Sequence, residues 1–274
     1  MTVATPAPAL RRPRRVPLGP AVKGARHVVE RNALAYRRLW WVFLAGLAEP
    51  LLYLLSIGVG VGELVGDLPG PDGRPVAYDT FVAPGLMATA AMNGAIFDTT
   101  FNFFYKFKYA RSFDAMLATP LGTLDVALGE AGWALLRGTL YSTAFLVAMA
   151  ALGLVESAWA ILTVPAAMLI GFAFAGAGLA ATTWMRSFVD FDYVNLALVP
   201  LFLFSATFFP LARYPEALEW VVRCTPLYQG VALERALVFG DLSWTLLLHV
   251  VYLAAMGVIG VRIGAVRLTR LLQP

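Results

Sequence analysis

Four ionisable side chains lie inside apolar runs of this sequence: Glu49, Asp98, Glu130 and Arg137. A charge at the centre of a bilayer costs at least ~2.5–3.5 kcal/mol on insertion scales, so each needs a counter-charge, water or a proton. Their chemistry is then of two kinds: an interhelical ion pair that fixes a bundle, or a gate or proton-sensitive element in a path. Rise per residue sets their depth. Glu49 follows Trp41, and Asp98 precedes Lys106, by a stretch of helix that puts each roughly 12 Å from a membrane surface. Glu130 is shallower, and Arg137 lies near the midplane. This predicts a polar cluster in which Arg137 reaches a carboxylate of a neighbouring span, with Glu49 a candidate. Pro50 removes a backbone hydrogen bond beside Glu49, and a kink there would aim that carboxylate inward.

A different chemistry sits between Tyr105 and Leu121. Phe107, Tyr109, Phe113 and Met116 are apolar knobs, and Lys106, Lys108, Arg111 and Asp114 carry charge. Pro120 and Gly122 end the segment. A short helix over 111–118 would present Phe113, Met116 and Leu117 to a groove on another protein. A loop that only faces lipid headgroups is the alternative.

The elements that position these residues follow from hydropathy. Hydrophobic residues make up 59% of the 274, charged residues 14%, and mean hydropathy is +0.72. Soluble domains average about 45–50% apolar and about 25% charged. The surplus lies in runs long enough to cross a bilayer, so the fold class is an all-α polytopic membrane protein. Six spans are predicted, over about 41–61, 80–104, 125–153, 159–184, 191–209 and 243–262. Between Pro210 and Leu242 the apolar pieces, around 216–224 and 227–239, are too short to cross. Either an outer re-entrant hairpin or a surface-lying pair of helices fits them.

Charge placement orients the spans. Residues 1–40 hold Arg11, Arg12, Arg14, Arg15, Lys23, Arg26, Arg31, Arg37 and Arg38 against Glu30 alone. Arg262, Arg267 and Arg270 follow the last span. Both termini are therefore expected in the cytosol of a cell-membrane protein. Residues 1–20 read as a disordered basic tail, 263–274 as a C-terminal tail, and 21–262 as one membrane domain. Over 21–40 a stripe of Val22, Ala25, Val29, Ala33, Tyr36 and Trp40 predicts an interfacial amphipathic helix. Small residues Gly171, Ala175 and Gly178 share a face suited to close helix packing, as do Gly58, Gly62 and Gly66.

Other chemistries find no support. No phosphate loop, zinc-binding helix motif or nucleophile elbow occurs, so no catalytic residue is nominated and this chain is not expected to hydrolyse ATP. Cys224 is the one cysteine, and His27 and His249 match no metal-site spacing. No cofactor and no nucleic acid is expected. An ion-coupled carrier using Glu49 and Asp98, and an intramembrane lipid-modifying enzyme, are the competing functions.

Particular stretches resemble a known family. They are Leu47–Leu54 (LAEPLLYL), Phe81–Thr89 (FVAPGLMAT), Ala91-Met-Asn93, Phe97-Asp98, Arg111–Thr119 (RSFDAMLAT), Leu128-Gly-Glu130 with Trp133, and Phe208–Leu211 before Pro226-Leu227. Together they resemble ABC-2-type exporter permeases, in particular the NodJ-like branch that exports lipo-oligosaccharide nodulation signals. The resemblance implies a dimer of permeases, two separate ATPase subunits that hold ATP and Mg, and a coupling helix after the second span. Its residues here are Arg111, Ser112, Phe113, Asp114, Ala115, Met116 and Leu117. The implied cargo is amphiphilic: a lipo-oligosaccharide, glycolipid or hydrophobic drug. Asp98 and Asp114 stand where close relatives would be expected to carry Glu.

Overall fold

The computed structural model describes residues 21–37, 40–70, 73–110, 112, 116 and 118–272. The expected tail over 1–20 lies outside them, as do Arg111, Phe113, Asp114, Ala115 and Leu117. Helices dominate, so the all-α expectation holds. A short antiparallel ladder is the exception: β1 (Leu68–Pro69) pairs with β2 (Pro75–Val76) between the first two long helices.

Among the described residues, 5 helices are long and apolar enough to cross a membrane. They are α2 (Trp40–Val65), α3 (Tyr78–Phe97) with its continuation to Tyr109, α4 (Thr123–Ala151), α5 (Thr163–Thr182) with a preceding 3-10 turn, and α9 (Thr245–Leu272). The stretch expected to span over 191–209 behaves differently. Here α6 (Asp190–Leu203) has 14 residues. At about 1.5 Å per residue it reaches roughly 21 Å, short of a hydrocarbon core of about 30 Å.

Beyond Phe204 the chain runs as non-helical backbone to Pro210, with Ala206 in the left-handed region at φ 57°. Irregular backbone at membrane depth survives only where protein or water satisfies it. Protein does so here: Ser205, Ala206 and Thr207 are buried. Arg235 Nη2 donates to the carbonyls of Ala206 (2.9 Å), Phe81 (3.3 Å) and Thr207 (3.4 Å). Its guanidinium also lies 3.8 Å from the centroid of the Phe81 ring.

Arg235 belongs to the second of two short helices, α7 (Glu216–Cys224) and α8 (Pro226–Phe239), close to the expected pieces. Thr225 caps α8 by accepting from the Tyr228 amide, Pro226 occupies the first turn, and Gly240 ends the helix at φ 79°. Packing of α8 on α3, α5 and α9 buries Leu227, Val231, Leu237 and Val238. That enclosure favours the hairpin over a surface-lying pair.

Close helix packing uses small residues. Gly171, Ala175 and Gly178 are buried on α5, as the pattern predicts. A Cβ on Gly176 would come within 2.5 Å of the Gly257 carbonyl oxygen, so α5 and α9 nearly touch backbones. The α9 side of this seam, Gly257, Gly260 and Gly264, goes unnoticed in a hydropathy reading.

Two sequence expectations need correction. The stretch 263–274 is not a tail as far as Leu272, because α9 continues and buries Leu268 against the body. On α1 (Ala21–Tyr36) the buried positions are Val28 and Asn32, whereas Ala33 is exposed. The helix turns this way because Val28 packs over Gly129 of α4, where a Cβ would overlap it, and because Asn32 joins a polar network.

Candidate functional site

The polar network is built where α1, α4 and the continuation of α3 meet. Past Phe97 the α3 backbone widens into two π-helical turns, Asp98–Asn102 and Tyr105–Tyr109. The Thr99 and Thr100 hydroxyls donate back to the carbonyls of Ala95 (2.7 Å) and Ile96 (2.6 Å). Such insertions recur at functional sites. Here they carry Asp98, Asn102 and Lys106 toward α4.

Two ion pairs result. Arg137 Nη2 lies 2.6 Å from Asp98 Oδ1, with side chains 8% and 7% exposed. Asn102 Nδ2 donates to the same Asp98 oxygen at 2.7 Å. Two turns along α4, Glu130 Oε2 accepts from Lys106 Nζ at 2.6 Å. That ammonium also reaches Asn32 Oδ1 of α1 at 3.3 Å. The Arg137 guanidinium lies 5.9 Å from the ring centroids of both Tyr36 and Tyr141. Acids and bases balance within this ladder, which is how a low-dielectric interior tolerates them.

The sequence-predicted residues therefore divide. Asp98 and Arg137 form the expected pair, and Glu130 lies in the same ladder with a different partner. Glu49 stays apart: it is exposed on α2, and no hydrogen bond or ion pair holds it among the described residues. Asn32, Tyr36, Asn102, Lys106 and Tyr141 were not anticipated as ladder members. The fourfold step of Asp98, Asn102 and Lys106 was the available signal.

Glu49 instead lines a cleft of about 780 Å³ enclosed by α2, α3 and α6. Aromatic side chains dominate its walls, among them Tyr53, Phe97, Phe101, Tyr141, Phe191 and Phe202. Asn93 and Asn195 add amides, and Arg137 reaches the inner wall from α4. An apolar pocket with a few placed polar groups is the usual form of a small-molecule site.

The segment after α3 packs back onto the body at the same end as Lys106. Met116 is 7% exposed and belongs to a cluster with Val28, Phe103, Val126, Leu179 and Leu268. Met116 thus anchors the segment and is not the outward knob expected of it, and Lys106 likewise turns inward. Ser112 is half-buried and lines, with His27, Arg31, Met116 and Thr119, an open concavity of about 500 Å³. At the other flank Phe104, Tyr109, Phe188 and Phe191 stack, and Lys108 donates to the Arg186 carbonyl. In that α5–α6 turn Asp190 accepts from the amides of Arg186 (2.6 Å) and Ser187 (3.0 Å). These two bonds hold its carboxyl below the usual carboxylate range.

Among the described residues no group of His, Cys, Asp and Glu could hold a metal ion. The arrangement offers a cleft, an ion-pair ladder and a segment rooted through Met116. The profile of the ABC-2 type transporter family matches residues 25–239. Nodulation protein J of Rhizobium meliloti (strain 1021) is 31% identical over 249 residues, covering 90% of this chain and 93% of that protein. Nodulation protein J of Rhizobium leguminosarum bv. trifolii is 34% identical over 215 residues, covering 78% and 80%. On this evidence the chain belongs to the ABC-2 type transporter family, as a membrane permease subunit.

Proposed function

We propose that two copies of this permease, or one copy and a sister permease, form an export path driven by two separate ATPase subunits. Those subunits hold the ATP and Mg, and both termini of this chain face them in the cytosol of a cell-membrane protein. The residues for docking are Arg111–Leu117, with Ser112 lining the adjacent concavity and Met116 fixing the segment from within. One observation carries this reading: the helix leading into the docking segment is tied to α4 by two ion pairs at 2.6 Å and to α1 by the Lys106–Asn32 hydrogen bond at 3.3 Å. A push on that segment would move several helices as a unit.

The cargo is amphiphilic and enters the aromatic cleft from the inner leaflet. The names of the relatives connect them with nodulation, which fits a lipo-oligosaccharide or glycolipid. A hydrophobic drug is the other cargo of this class.

The test is Phe113→Asp in the full chain, co-expressed with its ATPase. Losing one central interface anchor costs about 2 kcal/mol or more, so the ATPase should no longer co-purify and export should stop. Intact co-purification and export would place the contact elsewhere. Export driven by a proton gradient without the ATPase would favour the secondary carrier.

A further inference from the structure

Among the described residues two charged side chains line the cleft, Glu49 and Arg137. Of the acids on α2, α3 and α6, Glu49 lines it, whereas Glu63, Asp79, Asp190 and Asp192 do not. The one base that reaches the cleft is Arg137, and Asp98 neutralises it at 2.6 Å. Glu49 thus faces the cleft with an uncompensated carboxylate among the described residues, beside a proline-bearing turn of α2.

Around it stand ring faces. Tyr53 lies one turn away on the same helix face, and Phe97, Phe101 and Phe202 line the opposite walls. A carboxylate set among aromatic rings is the chemistry that recognises an organic cation: the acid supplies charge, and the rings supply attraction to a poorly hydrated positive group. A neutral saccharide would use the amides of Asn93 and Asn195 and gain nothing from Glu49. An anionic headgroup would be repelled by it.

We infer that this cleft binds a cationic amphiphile, a lipophilic ammonium or phosphonium, with Glu49 as counter-ion and Tyr53 as aromatic contact. The inference rests on the export reading and names the cargo class of the same site.

The experiment uses the purified full chain in phosphatidylcholine nanodiscs, with radiolabelled tetraphenylphosphonium as probe. Saturable binding is expected. Glu49→Gln, nearly isosteric at an exposed position, should weaken it at least about tenfold by removing a partly desolvated charge pair. Glu49→Asp should keep most of the affinity. Tyr53→Leu should weaken the cation by a larger factor than it weakens a neutral alkyl chitobioside. Absence of saturable binding, or equal affinity in wild type and Glu49→Gln, would overturn the inference. These measurements need no ATPase, so their failure is distinct from failure of the docking reading.

Discussion

Removing the Arg137 side chain should unfold much of the basic end of the bundle, and removing its partner as well should restore part of what is lost. In Arg137→Leu the Asp98 carboxylate stays 7% exposed without its counter-ion at 2.6 Å. Stranding one member of a buried pair costs about 3–5 kcal/mol. The contacts with Tyr36 and Tyr141, at 5.9 Å each, add roughly 0.5 kcal/mol apiece. The single variant should therefore lose about 4–6 kcal/mol, comparable with the whole margin of many proteins. In Asp98→Leu with Arg137→Leu the stranded charge is gone. What remains is the lost ring contact and an Asn102 amide without its acceptor, about 2–3 kcal/mol in all. The double variant should be more stable than Arg137→Leu by about 2 kcal/mol or more. Denaturant titration of purified chains in mixed micelles, followed by tryptophan fluorescence, reads both. Glu49→Leu with Arg137→Leu is the control, and no rescue is expected because Glu49 lies apart in the cleft. The reasoning fails if the Asp98 double variant is no more stable than Arg137→Leu, or if the Glu49 double variant is.

Two further outcomes follow from other parts of the structure. Arg235→Leu strips the donors from the carbonyls of Phe81, Ala206 and Thr207 and should cost about 2–4 kcal/mol; the 204–210 segment should then become protease-sensitive, and unchanged protection would show that those carbonyls are satisfied otherwise. Asp190, depressed by its two amide bonds, stabilises the α5–α6 turn above the ordinary carboxylate value of 3.8 and loses that contribution as pH falls through its lower folded value; Asp190→Asn should flatten that acid limb in a pH-dependent unfolding series, and an unaltered limb would assign it to another carboxylate.

Much of the fold is legible from run length alone, because a bilayer demands continuous apolar helices and this chain supplies them. The exception at α6 is instructive. Residues 191–209 are apolar nearly throughout, so hydropathy extends the helix to Phe209. The helix ends at Leu203 because Arg235, 32 positions further along the sequence from that residue, supplies the donors that let irregular backbone exist there. No local pattern encodes that. The ladder shows the same limit. Rise per residue assigns Glu49 and Asp98 the same depth, but depth does not give azimuth. Azimuth is set by the π-helical turns of the α3 continuation and by the course of α2, and it decides that Asp98 meets Arg137 while Glu49 meets the cleft. The coupling segment fails for a related reason: an eight-residue amphipathic piece does not say which of its apolar residues face home. Met116 does.

The intramembrane charges are best understood by what compensates each one. Asp98, Glu130, Lys106 and Arg137 neutralise one another in pairs and add amide contacts from Asn32 and Asn102, so their desolvation is offset inside the protein. Arg235 is offset by the backbone carbonyls of Phe81, Ala206 and Thr207. These groups hold helices in register, and little of their interaction energy is left for a ligand. Glu49 has no such arrangement among the described residues, and it stands at the wall of the cleft of about 780 Å³. An acid that the bundle has not compensated keeps its electrostatic energy available to whatever enters that space. Of the two charged groups at that wall, Arg137 is held by Asp98 and Glu49 is not, and that difference, rather than depth in the membrane, leaves Glu49 positioned to recognise a cargo.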